Sequence, residues 1–140
     1  MKINPFKAIL VILAFSATYS CGIGANGKNV PAAGNELKIV NDMESFNEII
    51  NGDTPVLVDF YADWCAPCRM MGPIMQQVSK EMVGKVRVIK VDVDKNEDVA
   101  RKYQIRSIPT MILFKKGKLM WQGVGVIQAD QIKSIVQKNS

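Results

Sequence analysis

The hydrophobic pattern along the chain falls into three regimes. The first is one continuous apolar block, Ala8 to Phe15, set behind Lys2 and Lys7 and followed by small or weakly polar residues up to Ser20-Cys21-Gly22. The second, Gly22 to Asn35, is rich in Gly and Asn and has almost no periodic hydrophobicity, so it reads as irregular chain. From Glu36 onward strand-like and helix-like patterns alternate, the signature of an α/β domain. Leu37 to Val40 predicts a short strand. Asp42 can cap a helix over Met43 to Ile50 that turns Phe46, Ile49 and Ile50 to one side and ends at Gly52. Val56-Leu57-Val58-Asp59-Phe60-Tyr61 is a nearly unbroken apolar run, as in a central strand covered on both faces. A helix is expected from about Cys65 to Val83, kinked at Pro73, then a strand over Val86 to Val93 and a short helix over Asn96 to Tyr103. Thr110 to Lys115 and Leu119 to Gln122, joined at Lys116-Gly117, predict a hairpin. A closing helix from Ala129 to Lys138 buries Ile132, Ile135 and Val136.

With 140 residues and 48% of them apolar, the chain can bury one core of ordinary size. The organisation expected is an export signal over residues 1–20, a flexible tether over 21–35 and one domain over 36–140. Net charge is +5, and without Lys2 and Lys7 it would be +3. No run of five or six like charges occurs, so nothing points to nucleic acid. Histidine is absent, which removes the commonest general base and the commonest metal ligand. The remaining chemistry must use Cys, carboxylate, Lys or Tyr.

The basic start, apolar block and small-residue exit form the three-part layout of an export signal. The apolar block falls short of the roughly 18 to 20 residues that a membrane-spanning helix needs. Cleavage before Cys21 would resemble the lipobox of bacterial lipoproteins, with Cys21 as the lipid-modified N-terminus. Thr18-Tyr19-Ser20 lacks the usual aliphatic residue three places before the cysteine, so ordinary signal cleavage and a free cysteine stay open. The expected location is outside the cytoplasm, in the periplasm or cell envelope. The fourteen residues after Cys21 would span about 20 Å as a flexible coil.

Trp64-Cys65-Ala66-Pro67-Cys68-Arg69 falls between a buried strand and a helix start. That placement puts Cys65 where unpaired backbone N–H groups and the helix dipole favour an anion, which lowers its thiol pKa and exposes its sulfur. Cys68 follows one turn later on the same side, so the two sulfurs can join. Pro67 fits the first turn, where a missing N–H costs nothing. Two blander readings compete. Half a zinc site fails on count, because without histidine Cys21 is the only further soft ligand, so no metal is expected. A purely structural bridge across three residues would constrain the unfolded chain little.

Asp59-Phe60-Tyr61-Ala62-Asp63-Trp64-Cys65-Ala66-Pro67-Cys68 resembles the active-site stretch of thioredoxins, and Ile108-Pro109-Thr110 resembles their substrate-binding cis-proline loop. The resemblance covers about residues 37 to 138 and continues through Pro73, Lys90 and Gly123-Val124-Gly125. Ala66 stands where most thioredoxins have Gly and Tyr61 where many have Trp, which touches the reduction potential more than the reaction. The resemblance implies a thioredoxin fold, a central mixed sheet with helices on both faces, and thiol-disulfide exchange with protein substrates through Cys65 and Cys68. It implies no cofactor, a monomer, and, for an exported protein, a membrane-bound redox partner. It makes Asp59 the buried group that takes a proton from Cys68, and Lys90 the group that tunes Asp59. A structural acid paired with Lys90, and a surface lysine snorkelling to solvent, are the respective alternatives. Pro109 becomes a cis proline bringing Ile108 beside Cys65, in place of an ordinary strand-entry proline. Trp64 is either core packing or a cover over the sulfurs. Ala66, Pro67, Ile108, Pro109 and Gly125 complete the substrate-binding set, Gly125 either for close backbone approach or as a loosened loop. Met70, Met71 and Met75 are mostly core filling.

Overall fold

The computed structural model describes residues 37–40 and 42–139. Cys21, the expected export signal and the expected tether lie outside the described residues. The elements run β1 (Lys38–Val40), α1 (Met43–Ile50), β2 (Val56–Tyr61), α2 (Ala66–Glu81), β3 (Arg87–Asp92), α3 (Glu97–Lys102), β4 (Thr110–Lys115), β5 (Lys118–Val124) and α4 (Ala129–Asn139). They form one mixed sheet in the order β1-β3-β2-β4-β5. β1 and β2 pair with β3 in parallel, whereas β4 pairs antiparallel with both β2 and β5.

Alternation along the central strands divides the core between two faces. Val56, Val58 and Phe60 of β2, with Ile89, Val91, Ile112 and Phe114, pack against Phe46, Ile49 and Ile50 of α1 and Val99 of α3. The rings of Phe46 and Phe114 meet edge to face, 5.9 Å between centroids. On the opposite face Leu57, Val88, Met111 and Leu113 pack against Met71, Met75 and Val78 of α2 and Ala129, Ile132 and Val136 of α4. Asp59 shares the parity of Leu57, so its carboxylate enters the sheet's α2 face.

Local chemistry sets the element ends. Asp42 caps α1, accepting from the Ser45 N–H at 2.7 Å, and that bond holds its carboxyl below the usual range. Lys116 and Gly117 both have positive φ, the geometry of a tight hairpin turn. A Cβ at Gly117 would meet Asn51 Oδ1 at 2.2 Å, so a larger residue there would require the Asn51 side chain to move aside.

Six elements depart from the expected bounds, β1, β3 and α4 by no more than one residue at either end, and α2, α3 and β5 in ways that local bonding and pairing describe. α2 begins at Ala66 with Cys65 as its cap, runs on through Pro73 and stops at Glu81. The segment beyond it turns at Gly84, whose φ is positive, and Val83 is exposed. α3 begins at Glu97 with Asn96 in the N-cap position, but the Asn96 side chain makes no capping bond; Nδ2 donates to the backbone carbonyls of Val40 and Asp92. β5 continues to Val124, where it still pairs with Thr110.

Candidate active site

Parallel pairing of β2 with β3 brings the C-terminal ends of both strands to one edge of the sheet. The segment Ala62 to Cys65 leaves β2 at that edge, and the Cys65 N–H closes a turn onto the Ala62 carbonyl at 3.1 Å. Cys65 keeps extended backbone angles and caps α2 with its own sulfur, which accepts the Cys68 N–H at 3.2 Å. The two cysteines are joined as a disulfide, with Cα atoms 5.3 Å apart. The sulfur of Cys65 thus sits at the positive end of a sixteen-residue helix, in contact with a backbone donor that would also serve a thiolate. Pro67 occupies the first turn of α2 without loss of a needed donor.

The expectation of an exposed nucleophilic sulfur is corrected for this disulfide form. Cys65 is only 3% exposed, because Cys65, Cys68 and Ala62 form a small apolar cluster against which Tyr61, Val93 and Ile108 pack. Ile108 therefore does lie beside the cysteine pair. The Ile108–Pro109 peptide is cis, and the strand-entry alternative falls away. Gly125 is tied to the same loop: its N–H donates to the Pro109 carbonyl at 2.8 Å, with φ +91°. A Cβ at Gly125 would meet no atom within 4 Å, so it is the positive φ, not crowding, that favours glycine here.

For Trp64 one of the two readings is removed. Core packing is excluded, since the residue is 68% exposed. Its indole Nε1 donates to Asp94 at 2.8 Å, which fixes the ring across the two strand ends. Met70 is likewise exposed, whereas Met71 and Met75 fill the core as expected.

On β2, the strand that leads into the cysteine turn, Asp59 is 0% exposed and neither carboxylate oxygen has a hydrogen-bond partner within the protein. Burial raises its pKa to about 6 from an ordinary 3.8, although Lys90 pulls it down. Lys90 is the residue directly opposite Asp59 on β3, with Nζ 3.8 Å from Oδ2. The snorkelling alternative for Lys90 does not describe this side chain, which is mostly buried and turned inward.

Val93, Asp94, Asp92 and Lys95 had no place in the sequence reading of the site. Lys95 pairs with the buried Asp92 at 2.9 Å and reaches toward Asp63 at 3.8 Å. Burial pushes the Asp92 carboxyl up, but the bonds from Lys95 and the Asp94 N–H outweigh it and hold it below the usual range. The signal that could have found them is topological: β2 and β3 are parallel neighbours that end together, so the loop leaving β3 must border the loop leaving β2.

A buried acid on the strand that leads to a cysteine pair, a capping sulfur and a cis-proline loop are the parts of a dithiol-disulfide couple. The thioredoxin family model matches residues 37–138. The chain belongs to the thioredoxin family. Thioredoxin of Rickettsia bellii is 43% identical over 100 residues, covering 71% of this chain and 95% of that protein. The M-type chloroplast thioredoxin of Pisum sativum is 42% identical over 104 residues, covering 74% of this chain and 60% of its own. Among solved structures, a mutant thioredoxin from Halobacterium salinarum superposes with a TM-score of 0.72 at 31% identity, covering 78% of this chain and 95% of that one. Plasmodium falciparum thioredoxin gives 0.68 at 35% identity, covering 74% and 100%. The chain is accordingly a disulfide oxidoreductase with the thioredoxin fold, built for dithiol-disulfide exchange with protein substrates.

Proposed function

We propose that reduced Cys65 is the attacking nucleophile and Cys68 the resolving thiol. The Cys65 thiolate attacks one sulfur of a partner's disulfide, forming a Cys65–partner mixed disulfide and releasing one partner thiolate. Cys68 loses its proton to Asp59, directly or through water, and attacks Cys65 Sγ. That forms the Cys65–Cys68 disulfide and releases the second partner thiolate, so two electrons pass from the dithiol to the partner. Lys90 keeps Asp59 ionisable near neutrality. Trp64, Ala66, Pro67, Ile108, Pro109 and Gly125 border the segment of substrate that lies against Cys65, with backbone pairing along the Ile108 loop.

The observation that supports this reading best is the sulfur of Cys65 accepting the Cys68 N–H at the start of α2, with Asp59 buried on the preceding strand without a hydrogen-bond partner. The test is reduction of insulin disulfides by dithiothreitol. Cys65→Ser is expected to abolish the acceleration. A variant that keeps it would remove Cys65 from the role of nucleophile, and a parent chain that gives no acceleration would make the domain a binding scaffold instead.

The working direction is reduction or isomerisation outside the cytoplasm, by a monomer that a membrane-bound donor re-reduces. Ala66-Pro67 places no histidine beside the nucleophile, which favours a reducing couple over a strongly oxidising one. The export-type pattern of residues 1–20 supports the compartment, and Ser20-Cys21-Gly22 supports a lipid anchor at Cys21. The same pattern favours a second reading, since an oxidising compartment would drive the couple toward disulfide formation. Equilibration with glutathione separates them. A potential near about −270 mV supports reduction, and one near about −120 mV supports disulfide insertion.

A further inference from the structure

The proposed chemistry leaves one contact unused, that of Lys90 with Tyr61. Lys90 Nζ lies 4.0 Å from the centroid of the Tyr61 ring and 3.8 Å from Asp59 Oδ2. At 3.8 Å the pair with Asp59 is too long for an N–H···O bond, so no hydrogen bond to the carboxylate holds the ammonium in place. An unbranched lysine stem with some exposure is free to carry its charge outward to water. On its other side the ammonium meets the negative face of an aromatic quadrupole. Asp59 and Tyr61 are two residues apart on β2, so both side chains leave the same face of the sheet, with Lys90 and Asp92 as their partners on β3.

We infer that Tyr61 is a positioning residue: its ring holds the Lys90 ammonium over Asp59 and thereby sets the pH at which Asp59 can accept the proton of Cys68. The inference rests on the reading of Asp59 as that acceptor. Lys90 is the charged group that bears on Asp59; on β4 its partner is the uncharged Met111, and from α2 Cys68 titrates once reduced. The Tyr61 phenol is pushed up first by burial and then by Asp92 and Asp63, against Lys95, and Asp59 is the weakest of these influences. Ring and hydroxyl can therefore be tested apart. Tyr61 also packs on the cysteine cluster, so a general loss of activity would say nothing about this role.

The readout is the second, unimolecular release of thionitrobenzoate by the reduced full-length chain in excess Ellman's reagent, monitored by stopped flow from pH 5 to 9. In that step Cys68 displaces thionitrobenzoate from Cys65 and closes the disulfide. Asp59→Asn is expected to remove the acid limb of the profile. Tyr61→Leu is expected to move the limb up by about half to one pH unit, because an ammonium no longer held lets the carboxyl stay protonated longer. Tyr61→Phe keeps the ring and should keep the parental limb. In a Lys90→Met background, where the limb already lies higher, Tyr61→Leu should move it no further. Tyr61→Met serves the same comparison if the leucine chain does not fold. An unmoved limb in Tyr61→Leu, an equal displacement in Tyr61→Phe, or a displacement that persists in Lys90→Met would overturn the inference. A limb retained in Asp59→Asn would instead overturn the assignment of Asp59, and the role of Tyr61 with it.

Discussion

Asp59 is where burial and chemistry meet most directly. An acid whose pKa is about 6 in the folded chain and 3.8 as an ordinary carboxyl binds more protons folded than unfolded between those values. Its stabilising contribution is therefore full below about pH 4, and the domain loses stability as pH rises toward 6, by on the order of 3 kcal/mol. Asp59→Asn should remove this slope. Urea denaturation of the oxidised protein is expected to show the variant more stable at pH 8 and level with the parent near pH 3.5. An identical difference at both pH values would mean that Asp59 is not strained by its charge. The cost is retained, on this account, because a carboxyl held near neutrality can accept the Cys68 proton and an exposed one at 3.8 accepts it poorly. The residue itself was legible as an acid in an apolar run; its lack of any hydrogen-bond partner was not, because that depends on what Lys90 and the loops above it do in three dimensions.

At the scale of elements, the strands and helices were readable wherever one period dominated. β2 and β4 are continuous apolar runs and α1 carries a clear stripe, so their positions follow from the residues alone. Ends were read less well, since side-chain bonding decides them: Asn96 was read as the start of α3, yet its amide joins β1 to the end of β3 through Val40 and Asp92. Asn96→Ala removes both bonds from a buried position. It should cost about 1–3 kcal/mol in denaturant titration while leaving the insulin reduction rate at 25 °C unchanged. A neutral effect on stability would show β1 to be held by its ladder alone. Trp64 illustrates the same limit. A tryptophan beside a buried strand reads equally as core or cover, and only the parallel register, which brings Asp94 within reach of its indole, decides against core.

At the scale of the whole molecule, the export-type pattern of residues 1–20 and Ser20-Cys21-Gly22 lead to the proposal of an exported chain with a lipid on Cys21. A mature chain recovered from the membrane fraction is expected to begin at Cys21, with a mass increase equal to a diacylglyceryl group and one further acyl chain. Cys21→Ser should release the domain into the soluble fraction of the envelope. An intact N-terminus recovered from the cytosol would contradict both. The net charge of residues 21–140 is +3 and dispersed, so under the proposed function protein substrates are expected to dock through the surface around Trp64, Ile108 and Gly125 more than by long-range attraction. The described domain also gives the exchange chemistry its asymmetry: both cysteines are covered in the disulfide form, but only Cys65 stands at the helix start and receives a backbone donor.

That asymmetry is measured most directly by the rate of iodoacetamide alkylation of the fully reduced protein against pH, with peptide mapping of which thiol is modified. Cys65 should react first, with a midpoint well below the ordinary cysteine value of about 8.5, and Cys68 only much more slowly. Two thiols that titrate together at or above that value, or preferential modification of Cys68, would contradict the account.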